Sequence, residues 1–337
     1  MYKMKKILAL VLALVMAVSF AACGGNTDTT SKDDTVSAAD TAKKFTVGIC
    51  QLVQHPALDA ATQGFMDALV AELGEENVEF LNENANNEIP VCTTIVTNFV
   101  NKKVDLIMAN ATPALTAAVN GTSAIPILGT SITEYGTALG IENFNGLVGG
   151  NVSGTSDLAP LDQQAQMIVD LFPEAKTVAL LYCSSEPNSA YQVKVIREAL
   201  EKKGIVCIDK SFTDSNDVTV VAAAAATEAD VIYIPTDNTA SECSAAIDGV
   251  IGNTPAVVGE EGIVCGVATL TISYYDLGVA TGKMAAKILK GEADISEMEI
   301  QYSETFTKKY RAEKCAQLGI DTAALEAMGY VAITPAE

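Results

Sequence analysis

Two stretches of the sequence, VGICQLVQHP at residues 47–56 and ALLYCSSEP at residues 179–187, contain the same parts in the same order. Each has an apolar run long enough for a buried strand, then a polar loop, then a proline. A helical pattern follows each proline, and proline is well tolerated at the first position of a helix. We therefore interpret both stretches as a strand, a loop and the start of a helix.

A second pair of stretches repeats this relation further along the chain. DLIMANATP at residues 105–113 and DVIYIPTDN at residues 230–238 each contain an acid, a strand and a polar loop that opens a helix. Any α/β protein contains such units, but two matches in the same order favour two similar lobes. Ligands of open α/β sheets bind beyond the carboxyl ends of the strands, so we expect a cleft lined by these loops.

The remaining pattern predicts an α/β fold with parallel sheets covered on both faces. Helices are expected at residues 57–73 and 189–203, where apolar residues recur every three or four positions. Eight short apolar runs predict strands: Phe45–Cys50, Val78–Leu81, Val104–Ala109, Ile125–Leu128, Thr177–Tyr182, Ile205–Ile208, Val231–Ile234 and Ala256–Val258.

One glycine-containing stretch superficially resembles a phosphate-binding loop. In Gly278–Met284 the glycines are one residue too close, and methionine stands where such a loop needs Ser or Thr. We interpret it as one face of a helix that runs to Lys290, and we expect no cofactor.

Composition excludes several classes of function. The 337 residues carry a formal charge of −21, which disfavours binding to nucleic acid. The chain has one histidine, His55, so a multi-histidine metal site cannot form, and no EF-hand spacing is present. We expect no bound metal. His55 is also the only histidine available to a catalytic nucleophile, and no convincing partner is visible, so an enzyme is the weakest interpretation.

The first residues have the pattern of an export signal. Three lysines precede the apolar run Ile7–Val18, which is too short to span a bilayer. The following Ser19–Cys23 resembles the lipobox of bacterial lipoproteins, in which the cysteine is lipidated. We predict a signal peptide at residues 1–22 and lipidation of Cys23; the alternative is ordinary signal cleavage beside an incidental cysteine.

The segment after this cysteine is polar and rich in Ser, Thr and Asp. It contains too little apolar surface to fold, so we predict that residues 23–43 are the lipidated cysteine and a flexible tether. Seven other cysteines follow, most of them within apolar runs and with no CxxC pair. We expect them to be reduced and buried, without a disulfide framework.

Six stretches of the sequence share features with one known family: Val47–Asp67, Ala111–Ala114, Asn151–Asp157, Ser184–Ser189, Pro235–Thr239 and Tyr274–Gly282. Together they resemble the substrate-binding lipoproteins of ABC importers, in the subgroup associated with the uptake of amino acids, often aromatic ones. The resemblance covers about residues 45–320. Gly129–Glu134 departs from the family pattern, which leaves the side-chain specificity of the ligand open.

The resemblance implies a type I periplasmic-binding-protein fold, with two Rossmann-like lobes joined by a three-stranded hinge that closes over the ligand. We expect lobe 1 at residues 44–152 plus 276–302, and lobe 2 at 153–275 plus the C-terminal 303–337. It also implies a monomer outside the cytoplasm, held on the outer face of the cell membrane by its lipid anchor. Such a protein delivers a small solute to ABC permease subunits without chemical turnover.

An amino-acid ligand needs one site for its carboxylate and another for its ammonium group. For the carboxylate we predict the helix start at Thr112–Pro113 and the hydroxyl groups of Ser184, Ser185 or Ser189. For the ammonium group we predict Asp237, with Glu186 in reserve, because a buried carboxylate needs a cationic partner. The alternatives are that Asp237 and Asn238 only cap a helix and that Glu186 is solvated.

Other residues of these loops are predicted to contact the ligand directly. The candidates for directional hydrogen bonds or contacts are Gln54, His55, Ser131, Asn188 and Asn238, and those for apolar walls are Tyr135, Tyr182 and Tyr274. Tyr182 also suits a core position. A sugar or nucleoside receptor with the same fold is the second interpretation, and the absence of tryptophan argues mildly against a sugar.

Overall fold

A computed structural model describes residues 44–333, which form two β-sheets with helices on both faces of each. The predicted signal peptide (1–22), Cys23 and the tether up to residue 43 lie outside the described residues. Within the described part, none of the helices has the length and apolar character needed to cross a membrane.

The strands are numbered in chain order. They are β1 (Phe45–Gln51), β2 (Val78–Asn84), β3 (Leu106–Asn110), β4 (Ile127–Ile132), β5 (Val152–Ser156), β6 (Thr177–Cys183), β7 (Val206–Phe212), β8 (Val231–Ile234), β9 (Ala256–Val258), β10 (Ala268–Thr271), β11 (Gln301–Tyr302), β12 (Thr307–Tyr310) and β13 (Val331–Ala332).

The α-helices are numbered in the same way, and two short 3₁₀ turns lie at Glu75–Asn77 and Ile295–Glu297. The helices are α1 (Pro56–Leu73), α2 (Ile89–Lys102), α3 (Thr112–Gly121), α4 (Tyr135–Leu139), α5 (Leu161–Leu171), α6 (Pro187–Glu201), α7 (Val218–Glu228), α8 (Asn238–Glu242), α9 (Ser244–Ile251), α10 (Tyr274–Leu289), α11 (Ala312–Leu318) and α12 (Thr322–Ala327).

The two sheets have similar central orders. The first is β11-β5-β4-β3-β1-β2, and its strands are parallel. The second is β13-β12-β10-β9-β8-β6-β7, parallel except for the antiparallel pair β10–β12. The predicted α/β fold with two parallel-sheet lobes is therefore confirmed.

The chain passes between the two sheets three times. It crosses after β5, between β10 and α10, and between β11 and β12. These crossings form the three-stranded connection that the family resemblance implies. β5 belongs to the first sheet as far as Ser156, whereas the predicted boundary of lobe 1 falls after residue 152.

All eight predicted strands are present, with ends displaced by a few residues. The two predicted helices are α1 and α6, and Gly278–Met284 lies within α10 as expected. Sequence reasoning missed β5 and β10–β13. These strands are short, and β5 (VSGTS) has the polar, small side chains of a loop although it is fully buried.

Each sheet has apolar cores on its two faces. On the first sheet, Ile107 and Phe99 lie in the core under α2 and α3, and Phe65 and Met284 lie in the core under α1 and α10. On the second, the core under α5 and α6 includes Ile196, and the core under α7 and α9 includes Ile247. Both faces being covered explains why the strands read as continuous apolar runs.

Helices α1 and α10 pack unusually closely because glycines lie at their contact. A Cβ at Gly278 would be 2.0 Å from the carbonyl oxygen of Ala61, and one at Gly64 would be 2.1 Å from that of Tyr275. A Cβ at Gly282 would be 2.6 Å from the carbonyl oxygen of Phe65. A side chain at any of these positions would push the two helices apart.

We expect Gly278→Ala to destabilise the protein by about 1–3 kcal/mol, because the new methyl group overlaps the backbone of α1. Gly249 provides the matched control: it lies in α9, and no packing neighbour from the described residues lies within 4 Å of the position of its Cβ. Gly249→Ala should stabilise the protein by about 0.5–1 kcal/mol through helix propensity. Urea unfolding measures both changes, and equal effects would contradict the packing argument.

Candidate functional site

The site is formed by loops at the carboxyl ends of the parallel strands, where the two lobes meet. Lobe 1 contributes the loop after β1 with His55, the start of α3 and the end of β4 with Ser131. Lobe 2 contributes the start of α6 and the loop before α8. Most polar side chains here are less than a tenth exposed.

Glu186 organises the lobe 2 side of this site. Its carboxylate is 3% exposed and accepts hydrogen bonds from the backbone N–H and side chain of Asn238 (3.1 and 2.7 Å) and from the N–H and hydroxyl of Thr239 (2.9 and 2.8 Å). Asn188 Nδ2 donates a further bond at 3.2 Å. The alternative of a solvated Glu186 is therefore wrong; this carboxylate fixes the start of α8.

Asp237 caps α8, which is one of the two interpretations that the sequence left open. Its carboxylate accepts the N–H of Ala240 at 2.8 Å and the N–H of Cys183 at 2.6 Å, and it is 0% exposed. Burial, followed by the charge of Glu186, raises the pKa of Asp237 above its usual value. Because both oxygens are bonded to backbone, the geometry gives Asp237 a structural role and offers an ammonium group no free oxygen there.

Two other carboxylates, which sequence reasoning missed, have an oxygen with no partner among the described residues: Asp157 Oδ1 and Glu260 Oε1. Asp157 follows β5, and its Oδ2 accepts the hydroxyl of Tyr274 at 3.0 Å. Glu260 follows β9 and is 1% exposed. The rule that ligands bind after parallel strands would have found Glu260, which stands two residues after a predicted strand.

His55 lies between the lobes and completes this group. Its Nε2 donates to Asn238 Oδ1 at 3.4 Å, and its Nδ1 lies 3.9 Å from Glu260 Oε1. Nδ1 has no hydrogen-bond partner among the described residues. With the proton on Nε2, both His55 Nδ1 and Glu260 Oε1 are hydrogen-bond acceptors. A single donor group placed between them could therefore bond to both atoms.

Burial is the main cause of the perturbed titration of Asp157. Burial raises the pKa of Asp157 to about 6, hydrogen bonds from Tyr274 and Thr133 lower it, and the charge of Glu260 raises it.

No lysine or arginine within residues 44–333 forms an ion pair with Asp157, Glu186, Asp237 or Glu260. Asp157 and Glu260 also keep an oxygen without a partner among the described residues, so these two buried acids favour a cationic group supplied from outside.

The lobe 1 side of the site offers hydrogen-bond donors. Thr112 and Pro113 form the first turn of α3, whose backbone N–H groups point out of the helix start. Ser131 is 5% exposed, and its hydroxyl has no partner among the described residues. Ala111 N–H donates to Thr130 O at 3.1 Å, which places the two elements side by side. Both Ala111 (φ 85) and Ser131 (φ 55) have positive φ, a strained backbone found often at binding sites.

The other predicted contacts divide into those inside and those outside this cluster. Asn188, Ser189 and Asn238 are buried within it, and Asn188 Oδ1 has no partner among the described residues. Ser184 and Ser185 are exposed and donate to the carbonyl groups of Phe212 and Thr213. Gln54 is exposed and lines a separate polar cavity on lobe 1.

The three tyrosines predicted to form apolar walls of the site lie in different parts of the structure. Tyr135 is 1% exposed, donates to Thr155 O and stacks on Phe144, so it belongs to the core of lobe 1. Its prediction as a wall is wrong because Gly129 and Gly154 leave space for its ring beneath β4 and β5. Tyr182 packs against the core of lobe 2, whereas Tyr274 lies at the site.

Two cavities flank the buried cluster. One of about 310 Å³ lies at the mouth and is lined by Pro113 and Asn87 from lobe 1 and by Glu186 from lobe 2. The other, of about 330 Å³, lies by the crossing between β10 and α10 and is lined by Pro56, Ala57, Gly262, Ile272 and Tyr274. Each is of the size that small-molecule sites have.

Asn87, a further residue missed from the sequence, bonds the lobes across the mouth. Its Nδ2 donates to Thr239 Oγ1 at 3.2 Å and to Glu242 Oε2 at 2.9 Å. Together with the bond from His55 to Asn238, these contacts join loops of lobe 1 to α8. The structure is therefore a closed arrangement of the lobes.

Comparison with known proteins gives consistent findings. The family described as ABC transporter substrate binding proteins matches residues 46–323. A tyrosine-binding protein of Clostridioides difficile (strain R20291) is 33% identical over 330 residues, 93% of this chain and 94% of that protein.

Two solved structures are similar over most of the chain. An ABC domain in complex with L-Trp from Streptococcus pneumoniae has a TM-score of 0.81 at 28% identity and covers 86% of this chain and 100% of its own. A ligand-free, open substrate-binding protein with adhesive properties from Clostridium difficile has a TM-score of 0.66 at 34% identity, with the same two coverages. The L-Trp complex, although less identical in sequence, therefore superposes on this chain better than the ligand-free, open structure does.

We expect Asn87→Ala to open the lobes in solution, because it removes both hydrogen bonds across the mouth. Asn86→Ala is the matched control: Asn86 also has positive φ (51° against 63°), but its side chain forms no hydrogen bond across the cleft within the described residues. Small-angle scattering should show a larger radius of gyration for Asn87→Ala alone. If the radius of gyration increased equally in both variants, the opening would be due to a change in backbone strain and not to the lost hydrogen bonds.

Proposed function

The chain belongs to the ABC transporter substrate-binding protein family, and we propose that it captures an L-amino acid, preferably an aromatic one, between its lobes. Proteins of this family are binding proteins rather than enzymes, and they act outside the cytoplasm. We further propose that lipidated Cys23 and the tether of residues 23–43 hold it on the cell membrane, where it delivers the ligand to ABC permease subunits.

One observation carries the proposal of an amino acid: the free buried oxygens of Asp157 and Glu260, with no lysine or arginine paired to them in the described residues. An ammonium group has three donors and a positive charge, which is the chemistry that these oxygens and the Nδ1 of His55, 3.9 Å from Glu260 Oε1, can accept. This assignment replaces Asp237, whose oxygens are used by the backbone.

We assign the ligand carboxylate to lobe 1. The first turn of α3 and the hydroxyl of Ser131, which has no partner in the described part of the chain, provide donors of the kind a carboxylate accepts. A ligand held by these groups and by Glu260 touches both lobes, and such contacts stabilise the closed arrangement.

The preference for an aromatic side chain rests on two supports. The relatives include a tyrosine-binding protein and a complex with L-Trp. The residues that line the cavity beside the buried cluster include Pro56, Ala57, Ile272 and Tyr274, which suit a flat apolar ring, together with the charged Glu261 and Lys309.

A ligand panel tests the function directly. We expect L-Tyr, L-Trp or L-Phe to raise the melting temperature of the full chain, because a ligand at 100 times its Kd stabilises a protein by about 2.7 kcal/mol. D-glucose and inosine should leave the melting temperature unchanged. A shift with a sugar or nucleoside and none with any amino acid would contradict the proposal in favour of a receptor for that class.

The affinity should depend on pH through Asp157. Its pKa is raised to about 6, so its neutral fraction grows as pH falls, and a neutral carboxyl group holds an ammonium group poorly. We expect calorimetric affinity to fall about tenfold from pH 7 to pH 5. The stability of the ligand-free protein depends on pH in the opposite direction. Because the pKa of Asp157 is raised on folding, this group stabilises the folded state most at low pH, and its contribution is lost as pH rises through about 6.

Matched variants separate Asp157 from general charge effects. Asp157→Asn should bind weakly at both pH values, with a flatter pH profile. Asp276→Asn removes an exposed charge from the start of α10 and should retain the wild-type profile. If Asp157→Asn binds with wild-type affinity, the ammonium site lies elsewhere.

A further inference from the structure

A small space lies in front of Gly262, in the loop after β9, where the two lobes meet. A Cβ at Gly262 would lie 3.3 Å from Glu260 Oε1, 3.4 Å from Ser241 Oγ and 3.9 Å from Pro56 Cβ. Glu260 and Ser241 belong to lobe 2, whereas Pro56 begins α1 of lobe 1. Gly262 and Pro56 also line the cavity beside the buried cluster, so the space borders that cavity.

Ser241 presents a buried hydroxyl group to this space. Ser241 is 4% exposed, and its Oγ has no hydrogen-bond partner within residues 44–333. It stands three residues after Asn238 in α8, so the two side chains lie on the same face of that helix. Asn238 Oδ1 accepts a hydrogen bond from His55 Nε2 at 3.4 Å. The face of α8 that carries Ser241 is therefore the face that meets lobe 1.

Three buried polar atoms without partners thus lie close together. Glu260 Oε1 is 3.9 Å from His55 Nδ1, and it borders the space in front of Gly262 together with Ser241 Oγ. None of these three atoms has a hydrogen-bond partner in the part of the chain that the structure describes. A buried polar atom without a partner costs free energy, so the grouping of three indicates a group with several donors supplied from outside the chain.

We propose that Ser241 contacts the ammonium group of the ligand, that Gly262 leaves room for this contact, and that the site therefore selects primary over N-methylated amino acids. The inference rests on the proposed function and adds Ser241 to the acceptors Asp157, Glu260 and His55. A primary ammonium group has three N–H donors, and a hydroxyl oxygen accepts such a bond as a carboxylate oxygen does. An N-methyl group replaces one donor with hydrocarbon, which leaves a buried acceptor without its donor.

Gly262 is required for the space it leaves and not for its backbone conformation. Its φ is negative, so alanine can adopt the same conformation. A methyl group there would lie 3.3 Å from Glu260 Oε1 and 3.4 Å from Ser241 Oγ, contacts that shifts of a few tenths of an ångström in these side chains relieve. Gly262→Ala should therefore fold normally and fill the space that the ligand needs.

Titration calorimetry on the full chain tests the contact, with L-Tyr, L-Trp and L-Phe and the N-methyl derivative of each as probes. For an amino acid that the wild-type protein binds, we expect its N-methyl derivative to bind more weakly by roughly tenfold or more. Ser241→Ala should weaken binding of the primary amino acid by about tenfold and reduce its preference over the N-methyl derivative to about threefold. Gly262→Ala should weaken binding of the primary amino acid by roughly tenfold or more.

Ser244→Ala and Gly249→Ala are the matched controls. Ser244 is a buried serine at the start of α9, Gly249 lies in the same helix, and neither residue lines the two cavities of the site. Both control variants should retain the wild-type affinity and the wild-type preference for the primary amino acid. Without ligand, Ser241→Ala and Gly262→Ala should melt within about 3 °C of the wild-type protein, which separates lost binding from lost folding.

The results for Ser241→Ala decide between a ligand contact and a structural role. A structural role would weaken binding of the primary and the N-methylated amino acid by the same factor, and that result overturns the proposal. Unchanged affinity for the primary amino acid in Ser241→Ala or in Gly262→Ala also overturns it, while leaving amino-acid binding by the wild-type protein established. If the wild-type protein binds none of the amino acids, the proposed function itself fails, and this inference fails with it.

Discussion

The structure depends on how the protein accommodates acidic side chains buried between its lobes. Glu186 receives five hydrogen bonds, and Asp237 is held by backbone N–H groups. Both are therefore stabilised within lobe 2 and need no ligand. Asp157 and Glu260 each keep an oxygen that no group in residues 44–333 bonds, so a donor that enters between the lobes would offset the cost of burying them. This difference separates the residues that build the site from those that select its ligand.

Much of the fold could be predicted because buried parallel strands leave a direct trace in the sequence. The apolar runs at β1, β3, β6 and β8 are hydrophobic on both faces, as a sheet covered by helices requires. β5 could not be found in this way. Its Ser153 and Thr155 are buried but satisfied by side-chain hydrogen bonds, so the strand resembles a loop in composition.

The site was less predictable than the fold, for a physical reason. The sequence indicates which loops follow which strands, but it does not indicate which oxygens the backbone already uses. Asp237 and Glu186 looked like ammonium ligands by charge and position. The sequence left helix capping open for Asp237, and the hydrogen bonds decide that both residues support α8. Asp157 lies on a crossing segment rather than after a predicted strand, and Asn87 acts through a partner more than 150 residues away. Such contacts require the tertiary arrangement.

The glycine contact between α1 and α10 limits where the molecule can bend. α10 begins directly after the chain leaves β10, and α1 begins directly after His55, so the paired helices connect a crossing segment to the ligand cleft. Backbone atoms lie where any side chain would have to go, so the two helices pack as one unit. Ile272 and Ser273 are the two residues between β10 and α10, and a change in their backbone torsions would turn both helices, and His55 with them, relative to lobe 2.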